Sequence, residues 1–208
     1  MTCDMIFDPF YPILDSSKWL ETLLPLGIRV VQIRIKDKSE TEIEKEIQRA
    51  RDLCANYQCQ LIVNDYWKIA LDLGCNYVHL GQEDLDCADL TTLKNANIRF
   101  GISTHSEAEL ERALSLNPDY IALGPVYPTI LKKMPWQPQG LDRVTQWKKR
   151  IGDLPLIGIG GMNLDRAPGV FLAGADAVAM VTDITLNSSP PDQVKKWIEL
   201  TEPWRLRQ

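Results

Sequence analysis

The stretch VVQIRIKDKSETEIEKEIQRARDLCANYQCQLIVND, residues 30–65, decides the fold. It opens on an apolar run at 30–35 and closes on another at 61–63. Between them, Ile43, Ile47, Ala50 and Cys54 recur at helical spacing among charges, which predicts a helix over 39–57. Strand, helix and strand in succession make a βαβ unit, whose strands run parallel because the helix carries the chain back to the starting edge.

The same rhythm extends outward in both directions. Strand-like runs lie at 10–14, 77–80, 99–102, 120–123, 156–159 and 177–181, so the count reaches eight. A second clear helix covers 106–116, where Ser106 stands as N-cap and Glu109 three residues on, the spacing of a capping box. Eight βα units close into a (β/α)8 TIM barrel, and 208 residues is near that fold's lower size limit. The competing arrangement is an open doubly wound sheet. No linker rich in Ser, Gly or Pro divides the chain, so residues 1–208 read as a single domain, without internal repeats or low-complexity segments. One connection is long and irregular, 125–139, rich in Pro and Lys. A loop of that length in a barrel reads as a lid that excludes water.

Composition narrows the function. An apolar fraction of 45% suffices for a core, and a net charge of −5 with no basic block argues against nucleic acid. The N-terminus MTCDMIFDPFYP lacks a basic segment followed by an apolar run, and no stretch approaches the roughly 18 apolar residues of a membrane span. Cys3, Cys54, Cys59, Cys75 and Cys87 are odd in number and form no Cys-x-x-Cys, which reads as free thiols in a reducing cytoplasm and not as a zinc site. The expected partners are small molecules, with a homo-oligomer compatible and neither nucleic acid nor membrane involved.

A barrel keeps its chemistry at the carboxyl ends of its strands. In the opening stretch Val31, Ile33 and Ile35 alternate with Gln32, Arg34 and Lys36. In an antiparallel sheet that alternation means one wet face. In a closed parallel barrel, helices cover one face and the interior is the other, so the three polar groups point together into the mouth. Burying Arg and Lys without partners costs several kcal/mol, so an anion is the natural occupant, and phosphate or diphosphate suits a planar guanidinium beside a compact ammonium.

The third strand runs into Asn64 and Asp65, and the fourth into Gly81-Gln82-Glu83-Asp84. Neighbouring strands lie about 4.8 Å apart, so carboxylates from these two ends can share a cation, and oxygen ligands suit Mg²⁺. The competing reading makes Asn64-Asp65 the cap of the next helix. Spacing does not choose between Glu83 and Asp84. Gly158-Ile159-Gly160-Gly161 closes the seventh strand, where backbone N–H groups can approach a phosphate, and Thr182 after the eighth can add a hydroxyl. His79, inside an apolar strand, reads as a core residue. His105 reads either as a general base or as part of a helix start. Trp136, inside the long loop, is the one tryptophan with a possible role in function. No Ser-His-Asp or Cys-His pattern occurs.

Seven motifs in order, VQIRIKDK, LIVNDYW, VHLGQEDL, FGISTH, DYIALGPVYPT, MPWQPQGL and IGIGGM, resemble the thiamine phosphate synthase (thiamine-phosphate pyrophosphorylase) family over nearly the whole chain. The resemblance implies a (β/α)8 enzyme that joins hydroxymethylpyrimidine diphosphate to thiazole phosphate with Mg²⁺, releasing pyrophosphate and forming thiamine phosphate by a dissociative route. By position it implies Gln32 on the pyrimidine and Arg34, Lys36, Asn64 and Lys132 on the diphosphate. Asp65 and Asp84 would hold Mg²⁺, and Ser103 would lie near the reacting pyrimidine. Thr129, the Gly161 backbone, Val181 and Thr182 would hold the thiazole phosphate. Arg34, Lys36, Ser103 and Lys132 would take part in the catalytic step. One departure stands out. The family's Thr-x-Thr-Lys is here Thr129-Ile130-Leu131-Lys132, and losing a hydrogen bond to a charged group weakens phosphate binding by about 1.5–3 kcal/mol. Two alternatives follow: a thiazole tautomerase-like isomerase using His105 as base, or a non-catalytic paralogue that binds thiamine precursors.

Overall fold

In the computed structural model, which describes residues 8–130 and 136–205, eight parallel strands close on themselves in chain order. They are β1 (Phe10–Leu14), β2 (Val30–Ile33), β3 (Gln60–Asn64), β4 (Tyr77–Leu80), β5 (Arg99–Thr104), β6 (Tyr120–Leu123), β7 (Leu156–Ile159) and β8 (Ala177–Met180). Around them run α1 (Lys18–Leu23), α2 (Glu40–Asn56), α3 (Trp67–Asp72), α4 (Leu90–Asn95), α5 (Glu107–Ser115), α6 (Gly140–Ile151), α7 (Ala167–Leu172), α8 (Thr182–Thr185) and α9 (Pro190–Arg205). The expected barrel is present and the open sheet is excluded, because β8 pairs with β1 through Phe10–Val178, Tyr11–Ala179 and Pro12–Met180.

The expected elements shift only at their ends. β2 stops at Ile33, short of the run at 30–35, although the Arg34 N–H still reaches the Leu14 carbonyl at 2.8 Å. Beyond it the chain turns through Asp37, whose φ is +58°, and leaves the sheet. β5 extends two residues past its apolar run, because Ser103 and Thr104 continue the ladder to Ala122 and Leu123. α2 begins on the full capping box of Ser39 and Glu42.

Strand parity sorts the core into two layers. Val31, Ile33, Ile35, Leu61 and Val63 pack outward beneath the helices, whereas Val30, Ile62, Tyr77, Tyr120, Ile157, Ala177 and Ala179 fill the interior with Tyr11 and Ile13. One glycine is required by that filling. A Cβ on Gly101 would stand 2.0 Å from the Tyr120 ring, so this gap in β5 is what lets Tyr120 lie across the barrel. At the amino end of β1, Asp8 takes Arg205 of α9 in a two-pronged ion pair, and Phe10 stacks on Trp197 with ring centroids 5.9 Å apart. These contacts fasten the last helix over the first strand.

Candidate active site

The rim at the carboxyl ends of the strands gathers most of the residues singled out in the sequence. Gln32 lies on the inward face of β2, 2% exposed, as its alternation with apolar neighbours requires. Arg34, one turn of the pleat further on, is half-buried, and its guanidinium has no hydrogen bond or ion pair among the described residues. Lys36 reaches across to β3, where its Nζ lies 2.5 Å from Asp65 Oδ2. A cationic stripe thus meets an acidic strand end, as the period-two reading requires.

Asp65 does not cap a helix. α3 starts at Trp67 with Tyr66 as N-cap, and no side chain caps it. The Asp65 carboxylate is turned to Lys36 by a backbone held at φ +63°. Such a conformation costs a residue with a Cβ about 1 kcal/mol or more, so the chain accepts strain to aim this group. Beside it the Asn64 amide, 4% exposed, leaves Nδ2 without a hydrogen-bond partner among the described residues. A buried amide donor in that state is costly unless something else accepts from it.

Asp84 completes the acidic side. Its Oδ2 accepts the Gly81 N–H at 2.9 Å. Burial, together with the Asp65 charge and a hydrogen bond shared with Asp65, pushes its carboxyl above the usual range despite Lys36 nearby. Two carboxylates that close repel unless they share a proton or a cation. Glu83, the other candidate, is exposed. Among the described residues no three His, Cys, Asp or Glu side chains cluster to hold a metal, so a cation here would take two carboxylates and draw its remaining ligands from water or a bound anion.

Ser103, at the end of β5, joins a buried chain of hydrogen bonds. His79 Nε2 lies 2.7 Å from Ser103 Oγ, and His79 Nδ1 lies 2.6 Å from the Tyr120 hydroxyl. Tyr120 meets the Tyr11 hydroxyl at 3.0 Å, and Gln32 Nε2 donates to Tyr11 at 2.8 Å. Burial lowers the His79 pKa to about 4, so the ring is neutral at physiological pH. His79 is therefore satisfied at both nitrogens, as a core histidine should be, yet it touches a site residue. Tyr11 and Tyr120 belong to the site's surroundings although hydrophobic periodicity alone does not single them out. Their signal was legible: a tyrosine on the inward parity of a closed barrel needs a polar partner for its hydroxyl. Gln82 adds a further contact, donating to the Ser103 carbonyl at 2.8 Å while its Oε1 stays buried without a partner among the described residues.

The opposite side of the rim is built from backbone. Gly160 and Gly161 have φ of +98° and +63°, and a Cβ on Gly161 would stand 2.3 Å from the Pro128 carbonyl. Only glycine allows the seventh loop to lie so close to the sixth. Val181 packs against the interior cluster at the mouth, and Thr182 opens α8. Thr129 is half-buried in the sixth loop, whereas Leu131 and Lys132 lie outside the described residues. The ends of that loop are pinned, with the Gln139 N–H on the Pro125 carbonyl at 2.7 Å and Gln139 Nε2 on the His105 carbonyl at 3.0 Å. His105 is held in a helix start. Its N–H and Nδ1 both reach Glu109 Oε2, at 2.7 and 2.8 Å, and Trp136 stacks on its ring at 5.9 Å. Glu109 therefore serves the residue before the cap and does not complete the box with Ser106.

A family model described as thiamine monophosphate synthase matches residues 8–184. A thiamine-phosphate synthase of Rhizobium etli is 53% identical over 201 residues, covering 97% of this chain and 98% of the relative. One from an Enterobacter species is 45% identical over 175 residues, covering 84% and 83%. A solved thiamine phosphate pyrophosphorylase of Pyrococcus furiosus superposes with a TM-score of 0.83 at 24% identity, covering 94% of this chain and 96% of that one, and supports the fold.

Proposed function

The chain belongs to the thiamine monophosphate synthase family, and we propose how its own residues carry the family's transfer, the condensation of hydroxymethylpyrimidine diphosphate with thiazole phosphate to thiamine phosphate and pyrophosphate. The observation that carries the reading is the meeting of Lys36, Asp65 and Asp84 beside an Arg34 guanidinium and an Asn64 amide donor that have no partner among the described residues. That is a receptor for an anion of high charge together with a divalent cation.

The residues fit Mg²⁺. Asp65 and Asp84 supply hard oxygens, and a cation between them would relieve the repulsion that raises Asp84. When bound, Mg²⁺ would neutralise charge on the departing diphosphate. Arg34 and Lys36 stabilise the same developing charge by direct hydrogen bonds, with Asn64 Nδ2 as a further donor and Lys132 as a further cation. Gln32 and Ser103 orient the pyrimidine over the barrel interior. Thr129, the Gly161 N–H, Val181 and Thr182 hold the thiazole phosphate across the mouth, which sets the thiazole nitrogen toward the carbon that loses diphosphate. The carbon–oxygen bond to diphosphate breaks first, and the thiazole nitrogen lone pair then forms the new carbon–nitrogen bond to the pyrimidine cation. No strong base is needed, in keeping with a rim that holds no unengaged histidine. His105, the base an isomerase would require, is occupied by Glu109.

The test supplies both precursors with Mg²⁺ and follows thiamine phosphate and pyrophosphate. Turnover that stops on chelation and returns with Mg²⁺ supports the reading. Undiminished turnover in chelator overturns the metal assignment, and binding of both precursors without product overturns the catalytic one. No described helix is long and apolar enough to cross a membrane, and we take the enzyme to work in the cytoplasm on small soluble substrates.

A further inference from the structure

The buried hydrogen bonds beneath the rim form one continuous path. They run from Gln32 through Tyr11, Tyr120 and His79 to Ser103, with links of 2.8, 3.0, 2.6 and 2.7 Å. The two ends of this path are the residues assigned above to the pyrimidine, and the three middle members have no place in that assignment. We propose that Tyr11, Tyr120 and His79 are positioning residues that lock the hydrogen-bonding sense of the Gln32 amide to that of the Ser103 hydroxyl. Together the two ends would then present a single donor–acceptor pattern to the aminopyrimidine. This rests on the reading that Gln32 and Ser103 contact that ring.

Proton counting gives the lock its logic. Gln32 Nε2–H donates to the Tyr11 oxygen. One assignment then runs these four contacts in a single direction. The Tyr11 O–H donates to Tyr120, and the Tyr120 O–H donates to His79 Nδ1. The one ring proton of a neutral imidazole sits on Nε2 and goes to Ser103 Oγ. In that sense the Gln32 carbonyl remains as an acceptor and the Ser103 O–H as a donor. The opposite sense requires the amide to flip and every proton along the path to move with it, which exchanges the roles at both ends at once. Neither end can change alone without leaving two donors or two acceptors face to face in a dry interior, where an unmade hydrogen bond is expensive. An aminopyrimidine offers an amine donor beside ring-nitrogen acceptors, so a fixed complementary pattern selects it over an analogue whose amine is replaced by an acceptor.

Two features show that the path is built in. His79 at 7% exposure and Tyr120 at 0% are sealed from water that could break the sequence of donors. Gly101 supplies the notch in which the Tyr120 ring reaches both partners.

The test is Tyr120→Phe, which keeps the ring over Gly101 and removes one oxygen from the middle of the path. KM for hydroxymethylpyrimidine diphosphate is expected to rise about tenfold, with KM for thiazole phosphate within about twofold of its starting value. Preference for the amino substrate over its 4-oxo analogue should fall by about tenfold or more. A coupling measurement isolates the lock from simple packing. Gln32→Ala and Ser103→Ala should be non-additive in pyrimidine KM in the native background and additive in Tyr120→Phe. Tyr11→Phe cuts another link and serves where Tyr120→Phe does not fold. If both single alanine variants lower pyrimidine affinity but the tyrosine variants keep both the coupling and the discrimination, the lock is refuted while the site assignment stands. If neither alanine variant alters pyrimidine KM, both fall.

Discussion

Two aspartate–cation pairs, one at each end of the barrel, use similar contacts to opposite ends. At the amino end of β1, Asp8 is gripped by the Arg205 fork at 2.8 and 3.0 Å and also accepts the Phe10 N–H at 3.0 Å. At the carboxyl end of β3, Asp65 takes one ammonium, that of Lys36, at 2.5 Å. The first pair is buried, with side chains 2% and 8% exposed, and the second is open, at 20% and 45%. Asp8 has its acceptor capacity filled by its own chain. Asp65 has most of its capacity left over, stands next to a second carboxylate, and sits on a strained backbone. A charge saturated by neighbours belongs to the fold, whereas a charge held partly unsatisfied at some conformational cost is held for a ligand.

Removing each aspartate in turn, with both activity and stability measured, tests this division of roles. Asp65→Ala should lower pyrophosphate release by about 10³-fold or more, the scale of losing a charge-stabilising group at a reacting centre, with an unchanged or slightly raised Tm. Asp8→Ala should do the reverse. Leaving Arg205 with only Glu202 in a nearly dry seam should cost about 3 kcal/mol in denaturant unfolding, with turnover per folded molecule unaltered. If Asp65→Ala unfolds the protein or Asp8→Ala abolishes turnover in the folded fraction, the assignment of the two ends is wrong.

The sequence made one of these ends far more legible than the other. The rim announced itself through periodicity, because Gln32, Arg34 and Lys36 interrupt an otherwise apolar strand and the parallel fold leaves them one direction to face. Asp65 was legible for the same reason, as a carboxylate at the end of a dry run. Asp8 gave no such sign. Its partner, Arg205, is 197 residues away, and no local pattern announces a contact made only when a barrel closes. The relay beneath the rim was half visible. His79 reads as a core residue from the sequence, whereas Tyr11 and Tyr120 lie inside apolar runs, where an aromatic ring meets the periodicity rule whether or not its hydroxyl has work to do. Gly101 was opaque, since its cause is the Tyr120 ring on the neighbouring strand.

Acid titration separates two layers near the rim. Burial lowers His79 from its ordinary 6.5 to about 4. Its contribution to stability is therefore complete above pH 6.5 and is lost as the pH falls toward 4, up to about 3 kcal/mol. Glu46 on α2 behaves as a lowered carboxylate. Burial pushes it up, but the Lys38 ammonium and the Ser17 N–H outweigh this and hold it at about 2. Its contribution is complete above pH 4.5 and is lost between there and 2. Stability measured by denaturant from pH 7 to pH 3 should fall in two stages. His79→Gln should flatten the upper stage and Glu46→Gln the lower. A single stage that responds to neither variant would show that these groups do not govern the acid limit.

The smallest expected effect concerns the first turn of α2, which starts at the same end of the barrel as the rim but outside its polar mouth. Ser39 caps the helix, and its own N–H donates to Glu42 at 3.0 Å. Each contact is local, satisfied and exposed, so this turn should resemble the Asp8 seam in kind while sharing the rim's location. Ser39→Ala should cost about 1 kcal/mol of stability, and Ser39→Asp, which keeps a cap acceptor, should restore most of it. Both variants should release pyrophosphate within about twofold of the native rate. A loss of turnover larger than the loss of stability explains would mean that the loop carrying Lys36 depends on the cap to hold its charge over Asp65, and the boundary between fold and site would then lie inside α2 and not at its threshold.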